Sequence, residues 1–441
     1  MSLFRAIFRQ ALPIAIALAV PNVAMAEPEP TLPSLQAVAE RAVSQGLTPN
    51  MVIGVSLPDG EIIWIRKGTL AFGDATAANE NSLYRAYSLT KPITSFAAML
   101  LIDEGVIDLD QPVSDFIPGF ANVQVLVDPD TFGETRPPAR PITVRHLLTH
   151  TSGLGYSTIP SALSEAYARA GIVPGLRLPH PLRPIYGEEP DSLQAFAERV
   201  ATLPLRVDPG TDWHYSIGHD VLGAVIEVAA GMPFEQFLQD RIFTPLGMND
   251  TGFVVATEDL DRLTTNYARL NGEIVMHDAP GASEYASAPP FPSGGAGLVT
   301  TPRDYLRFMT AMANRGRLDG EQILPSSAVN TAMSNLLPEG VVFDGFGAFA
   351  AQGQGFGAGG RVWVQETETE PIGTFGVASA ASSLATVIPS ENTAIVMMTQ
   401  MLFANDLRMI QDVSAAFATD VEYHVRARRK NKIPVREGVR F

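Results

Sequence analysis

The sequence predicts an α+β protein, close to an α/β sandwich: one antiparallel β-sheet flanked by helices and built from both termini, plus an inserted all-helical domain. Two patterns carry that prediction. Each end of the chain has a pair of strand-like segments around a turn signal, and each pair is accompanied by an amphipathic helix at the extreme. The composition agrees with a large packed chain: 441 residues, 46% hydrophobic and only 18% charged, enough for two or three domains or one large domain with insertions.

Taken in order, Leu35 to Ser44 reads as a helix, with Leu35, Val38, Ala39 and Ala42 on one face and Gly46 as its stop. Strands are expected at Met51 to Ser56 and Glu61 to Arg66 around Pro58-Asp59-Gly60. At the other end, Ser383 to Ile388 and Thr393 to Thr399 flank the turn Pro389-Ser390-Glu391-Asn392. A helix from about Asn405 to Val421 follows, with Leu407, Ile410, Val413 and Phe417 inward. The sheet parts therefore fall at about 31–100 and 285–423, within one domain of 27–423, and the helical part at about 101–284. Two proline-rich stretches inside the helical part, Asp128 to Pro141 and Ile172 to Pro190, are neither helix interior nor central strand. They read as pocket walls, lids or surface excursions.

The two ends beyond the domain differ in character. Residues 1–26 read as a signal peptide rather than a retained anchor: Arg5 and Arg9 give a positive start, Ala11 to Val20 an apolar run, and Ala24-Met25-Ala26 a cleavage site. The protein is expected to be exported to the periplasm or secreted, with no stable membrane span after cleavage, because Pro13 and Pro21 break a run already short for a bilayer. Residues 424–441 are a basic tail of seven basic residues against Glu437, either docked on an acidic surface or solvated.

Charge and cysteine content exclude several functions. With 31 Lys plus Arg against 47 Asp plus Glu, the net charge is −16, which argues against a nucleic-acid partner. The absence of cysteine excludes disulfides, thiolate metal sites and a cysteine nucleophile. The basic residues divide unevenly. Only Lys67, Lys91, Lys430 and Lys432 are lysines; the other 27 are arginines.

That scarcity matters at the helix expected to begin near Ser88. Ile93, Phe96, Ala97, Leu100 and Leu101 repeat at helical spacing, Pro92 sits in the first turn, and Gly105 ends the run. Lys91 lies one turn from Ser88, within reach of its hydroxyl, at a helix end whose dipole favours an alkoxide. A Ser-x-x-Lys pair alone is also what a capping serine and a solvated lysine look like. Yet this chain uses arginine nearly everywhere, and arginine cannot act as an amine base, whereas a desolvated lysine can. Other hydrolase templates are missing: no Gly-x-Ser-x-Gly, no His-Glu-x-x-His, and no phosphate loop. His146, His150, His214 and His219 lack an acidic partner at ligand spacing and read as structural or capping residues. No metal and no cofactor is expected.

Several segments together resemble a known family. Ser88-Leu89-Thr90-Lys91-Pro92, His146-Leu147-Leu148-Thr149-His150-Thr151-Ser152-Gly153-Leu154, Trp213-His214-Tyr215-Ser216 followed by Asp220-Val221-Leu222-Gly223, Ser293-Gly294-Gly295-Ala296-Gly297-Leu298 and Met398-Thr399-Gln400 look like the serine β-lactamase-related superfamily. Within it the chain is most similar to the class C β-lactamase-like esterases, the family VIII carboxylesterases. The resemblance implies a β-lactamase/D,D-peptidase-like fold with the site between sheet and helical parts. It implies a serine hydrolase of carboxylic esters, in which Ser88 is acylated, Lys91 activates it, and Tyr215, just before a helix at Asp220 to Ala230, shuttles protons. The oxyanion hole is assigned to the backbone N–H groups of Ser88 and Ala380, and Tyr156 either lines the pocket or is structural.

Two departures bear on substrate. Ile217 replaces the asparagine of the lactamase Tyr-x-Asn motif, and no lysine stands between Lys91 and Lys430 to supply the lactamase Lys-Thr-Gly motif. Val377-Ala378-Ser379 occupies the place where the esterases usually have Trp-Gly-Gly, and Ser379 there narrows the approach to substrate. The expected partner is a small-molecule ester, or an amide or lactam. A β-lactamase or D,D-peptidase, an acyltransferase and a catalytically silent binding module are the alternatives.

Overall fold

The computed structural model describes residues 31–173, 187–343, 345, 352–367, 370–402 and 408–431, with side chains to 422 in the last segment. The expected signal peptide at 1–26, most of the second proline-rich stretch, the expected helix start at Asn405 to Leu407 and residues 432–441 of the basic tail lie outside the described residues.

Helix α1 spans Pro33–Ser44 and buries Leu35, Val38, Ala39 and Ala42, the face that the 3.6-residue period requires. Gly46 then takes φ +66°, the left-handed geometry that closes many helices. Strands β1 (Asn50–Ser56) and β2 (Ile62–Gly68) form a hairpin, Met51 opposite Lys67 and Ser56 opposite Ile62. At the far end of the chain lie β3 (Gln354–Phe356), β4 (Arg361–Trp363), β5 (Phe375–Ala378), β6 (Leu384–Ile388) and β7 (Thr393–Met398). The seven strands make one sheet in the order β3-β4-β5-β6-β7-β1-β2, antiparallel throughout. The seam between the termini is β1 against β7, with Val52 opposite Met398 and Ser56 opposite Ala394.

The sheet is covered on both faces. Helix α2 spans Thr90–Asp103, α3 Gly218–Ala230, α4 Pro302–Ala313 and α5 Arg408–Asn431. Helices α1 and α5 pack together behind the sheet, while α4 lies across β1, β6 and β7 in front. Beyond α4, α2 packs on α3 and carries the core away from the sheet into the helical part. Among the described helices, no single one is long and apolar enough to cross a membrane.

Two differences from the sequence prediction have simple causes. Helix α5 does not stop near Val421 but carries the first part of the basic segment as helix to Asn431. No glycine or proline interrupts Arg408 to Asn431, and Arg and Ala are strong helix formers. The inserted region is largely helical but also holds a hairpin, Asn266–Leu270 with Glu273–Asp278. Its turn is Asn271-Gly272, both at positive φ, the strongest short-range hairpin signal in a sequence. Met401–Leu402 then pairs in parallel with Tyr267–Ala268, tying this hairpin to the end of β7.

Candidate active site

Ser88 does not start α2 directly. It sits in a 3₁₀ turn, Tyr87–Leu89, that runs into the helix at Thr90. Tyr87, just before it, is buried in the left-handed conformation at φ +47°, a strained state for a residue with a ring, of order 1–3 kcal/mol. The fold holds it there: the Tyr87 hydroxyl accepts a hydrogen bond of 2.6 Å from Asn266 Nδ2 in the Asn-Gly hairpin. The strain re-aims the next residue, so Ser88 presents its hydroxyl half-exposed while Lys91, one turn on, is buried.

The structure brings Ser88, Lys91 and Tyr215 together. Ser88 Oγ lies 2.8 Å from Tyr215 Oη, although 127 residues separate them. Lys91 Nζ is 3.5 Å from Ser88 Oγ, at the outer limit of a hydrogen bond, and donates at 2.7 Å to the Gly295 carbonyl. It also lies 4.8 Å from the centre of the Tyr215 ring and 6.0 Å from that of Tyr156. Tyrosine, not lysine, is therefore the group in close contact with the serine hydroxyl.

Tyr215 is held by a cluster of rings that the spacing of histidines does not reveal. His150 stacks on it at 4.5 Å with planes 33° apart, and Tyr156 meets it at 5.2 Å. His150 is itself buried at φ +57°, and its Nδ1 accepts the Ser216 backbone N–H at 3.2 Å, which leaves Nε2 as the protonated nitrogen of a neutral ring. His219 lies 4.8 Å from His150 and shares a hydrogen bond of 2.9 Å with Ser95 of α2. Burial, aided by the Lys91 charge, holds both imidazoles well below the usual histidine range, and His150 depresses His219 further, so both are neutral. Outside this pair, His146 caps a helix start by accepting the Thr143 N–H at 3.1 Å, and His214 pairs with Asp212 at 2.9 Å. Beyond Tyr215 an aromatic wall continues through Trp213, Phe343 and Phe356, with Trp213 and Phe343 rings 4.8 Å apart. The only sequence cue to His150 is the His-Thr-Ser-Gly-Leu segment that contains it.

The Val377-Ala378-Ser379 segment is placed beside the serine turn rather than in direct contact with it. β5 packs on the Tyr87–Leu89 turn, and Ala381 shares a small apolar cluster with Tyr87. Ser379 is buried in the β5–β6 turn, donating its N–H to the Ser383 carbonyl at 2.9 Å and accepting the Ala381 N–H at its hydroxyl at 3.2 Å. Ala380 is exposed at the tip. No described hydrogen bond joins Ser379 or Ala380 to Ser88, Lys91 or Tyr215. Among the described residues, no group of three His, Cys, Asp or Glu is placed to hold a metal ion.

A partly buried serine hydroxyl contact with tyrosine, a lysine one turn away and a flanking antiparallel sheet invite comparison with known proteins. The family model described as Beta-lactamase matches residues 35–418. Esterase EstB of Burkholderia gladioli is 33% identical over 305 residues, covering 65% of this chain and 72% of its own. The lovastatin esterase of Penicillium rubens is 28% identical, covering 68% and 72%. Among solved structures, EstCE1, a hydrolase with promiscuous acyltransferase activity, superposes with a TM-score of 0.71 at 25% identity, over 87% of this chain and 97% of its own. The chain belongs to the beta-lactamase family, as a serine hydrolase of that fold related to esterases and acyltransferases.

Proposed function

We propose that the protein is an exported esterase that cleaves small carboxylic esters through an acyl-enzyme on Ser88. The observation that carries this reading is the 2.8 Å contact of Ser88 Oγ with Tyr215 Oη, backed by Lys91. Tyr215, acting as the phenolate, takes the Ser88 proton as Oγ attacks the ester carbonyl carbon, and gives that proton to the departing alkoxide when the tetrahedral intermediate collapses. Water then attacks the acyl carbon, its proton passes to Tyr215, and the released Ser88 oxygen recovers a proton from Tyr215. Lys91 lies against the face of the Tyr215 ring and beside Ser88, where a positive charge favours the anionic forms of both oxygens. The Ser88 and Ala380 N–H groups serve as oxyanion donors.

What surrounds the serine supports an ester rather than a lactam as substrate. The wall of Tyr156, Trp213, Phe343 and Phe356 suits an apolar acyl or alcohol group. No lysine follows Lys91 before Lys430 to hold a lactam carboxylate. The relation to EstCE1 favours a second reading, transfer of the acyl group to an alcohol in place of water.

The test is turnover of p-nitrophenyl esters of increasing chain length, with a fluorophosphonate probe as covalent reporter. Wild type should turn over the esters and take up the probe, and Ser88→Ala should lose both, turnover falling at least about a thousandfold. Nitrocefin turned over faster than any ester would overturn the ester reading, and product release accelerated by an added alcohol would mark a transferase. Export is tested by N-terminal sequencing of protein recovered from the periplasm or medium, where Glu27 is the expected first residue.

A further inference from the structure

We propose that Asp220 is a positioning residue for the Ser88 site: its carboxylate clamps Gly295, and the Gly295 carbonyl in turn holds the Lys91 amine beside Ser88. The inference rests on the esterase reading above and deepens it.

The Lys91 head group is located by Gly295 more than by the serine, since its contact with the Gly295 carbonyl is 2.7 Å against 3.5 Å for Ser88 Oγ. Where Gly295 goes, the amine goes. Gly295 lies in the tight segment Ser293–Gly297, closed by the Gly297 N–H on the Ser293 carbonyl at 3.0 Å and the Ala296 N–H on Ser293 Oγ at 3.2 Å. This segment is tied on one side to α2, where Thr94 Oγ1 donates to the Gly294 carbonyl at 2.7 Å. On the other side, among the described residues, its hydrogen bonds to α3 run through Asp220: Oδ1 accepts Ser293 Oγ–H at 2.5 Å and the Gly295 N–H at 3.1 Å.

The fit around that clamp is close. A Cβ on Gly295 would stand 2.5 Å from Asp220 Oδ2, and one on Gly294 would stand 2.5 Å from the His219 carbonyl oxygen. The run Ser-Gly-Gly-Ala-Gly is thus what allows the segment to approach α3. Asp220 is 1% exposed, yet its second oxygen has no hydrogen-bond partner. Asp220 also occupies the first turn of α3, five residues after Tyr215, so one helix start places both the tyrosine and the lysine's anchor.

The experiment compares Asp220→Asn and Asp220→Ala with wild type and Ser88→Ala, measuring p-nitrophenyl ester turnover per site titrated by the fluorophosphonate. We expect both Asp220 variants to lose kcat about tenfold to a hundredfold per titrated site, with KM held within about twofold, since the substrate does not touch Asp220. Unchanged kcat per titrated site in a folded variant, or a loss confined to KM, overturns the inference. If neither Asp220 variant folds, Ser293→Ala and Thr94→Val loosen the same segment from its two sides. Each should then lower kcat about threefold to tenfold without moving KM, and no change in kcat overturns the inference. Wild type that neither takes up the probe nor turns over ester overturns the Ser88 reading and the inference with it, an outcome distinct from a labelled wild type with indifferent Asp220 variants.

Discussion

Behind the sheet, α1 and α5 close over Met51, Ile53 and Val55 of β1 with a layer that is apolar almost throughout: Leu35, Val38, Ile410, Val413 and Phe417 meet Ile395 and Met397. In front, the apolar cluster runs from α4 to α2 and α3 but is threaded by buried polar groups, among them Lys91, Thr94, Ser95, His150, His219 and Asp220. A single strand serves both sides, since Val52 points into the front cluster while its neighbours Met51 and Ile53 point back. The difference teaches a division of labour. The back layer stabilises chiefly by apolar burial, whereas the front layer accepts the cost of many desolvated polar groups and recovers it through specific hydrogen bonds.

Separating the two faces experimentally is straightforward. The largest effect belongs to the front: Tyr215→Phe should lower kcat on a p-nitrophenyl ester by about 10² to 10⁴-fold with little change in thermal stability, as measured by steady-state kinetics and calorimetry. The mirror image belongs to the back. Phe417→Ala should destabilise by about 3–5 kcal/mol in urea unfolding, with kcat per titrated site unchanged; a fall in kcat there would show that the faces are coupled.

Acid should affect the front more than the back. His219 is neutral in the fold because burial holds it well below 6.5, while in the unfolded chain it takes up a proton near that pH. Below pH 6.5 the unfolded state therefore binds the extra proton, and stability falls as pH falls. The Asp220 carboxyl, pushed up by burial, works in the opposite sense, so the comparison is best made as a difference between variants. Between pH 7.5 and 5, wild type should lose about 2 kcal/mol more than His219→Gln, read from urea midpoints at the two pH values. Equal losses would mean that the imidazole stays accessible to protons in the fold.

The smallest effect tests a buried charge in the back layer, Asp420. Leu32 cannot cap α1, and the free N–H groups of Ser34 and Leu35 instead donate to Asp420 of α5 at 3.2 and 3.0 Å. Asp420→Ala should cost about 1–2 kcal/mol, the range of a lost N-terminal cap, and leave catalysis untouched.

Much of the fold was legible because its signals are local. The α1 face, the Pro58-Asp59-Gly60 and Pro389-to-Asn392 turns and the α2 period each lie within a dozen residues, and the strands and helices they predict are present. The Asn266–Asp278 hairpin was equally local, since Asn271-Gly272 is a turn signal, but the surrounding region reads as helical and masked it. In the site, the Ser88–Lys91 spacing is one helical turn and can be read directly, whereas Tyr215 depended on a resemblance. His150 and Asp220 left no periodic trace, because each matters through a neighbour distant in sequence: Tyr215 for one, Gly295 for the other. The role of Val377-Ala378-Ser379 was not legible either, since Ser379 is folded into its own turn by contacts with Ala381 and Ser383 that no spacing rule anticipates.

The sequence by itself determined the class of fold, the seam between its ends and the pairing of a serine with a scarce lysine, because periodicity, turn chemistry and composition act over a few residues. Only the tertiary structure decided that Tyr215 rather than Lys91 makes the close contact with Ser88, that a strained Tyr87 aims that serine, and that Asp220 reaches Lys91 through Gly295. Those arrangements depend on groups brought together across 75 to 204 residues by burial, and burial carries no local signature in the chain.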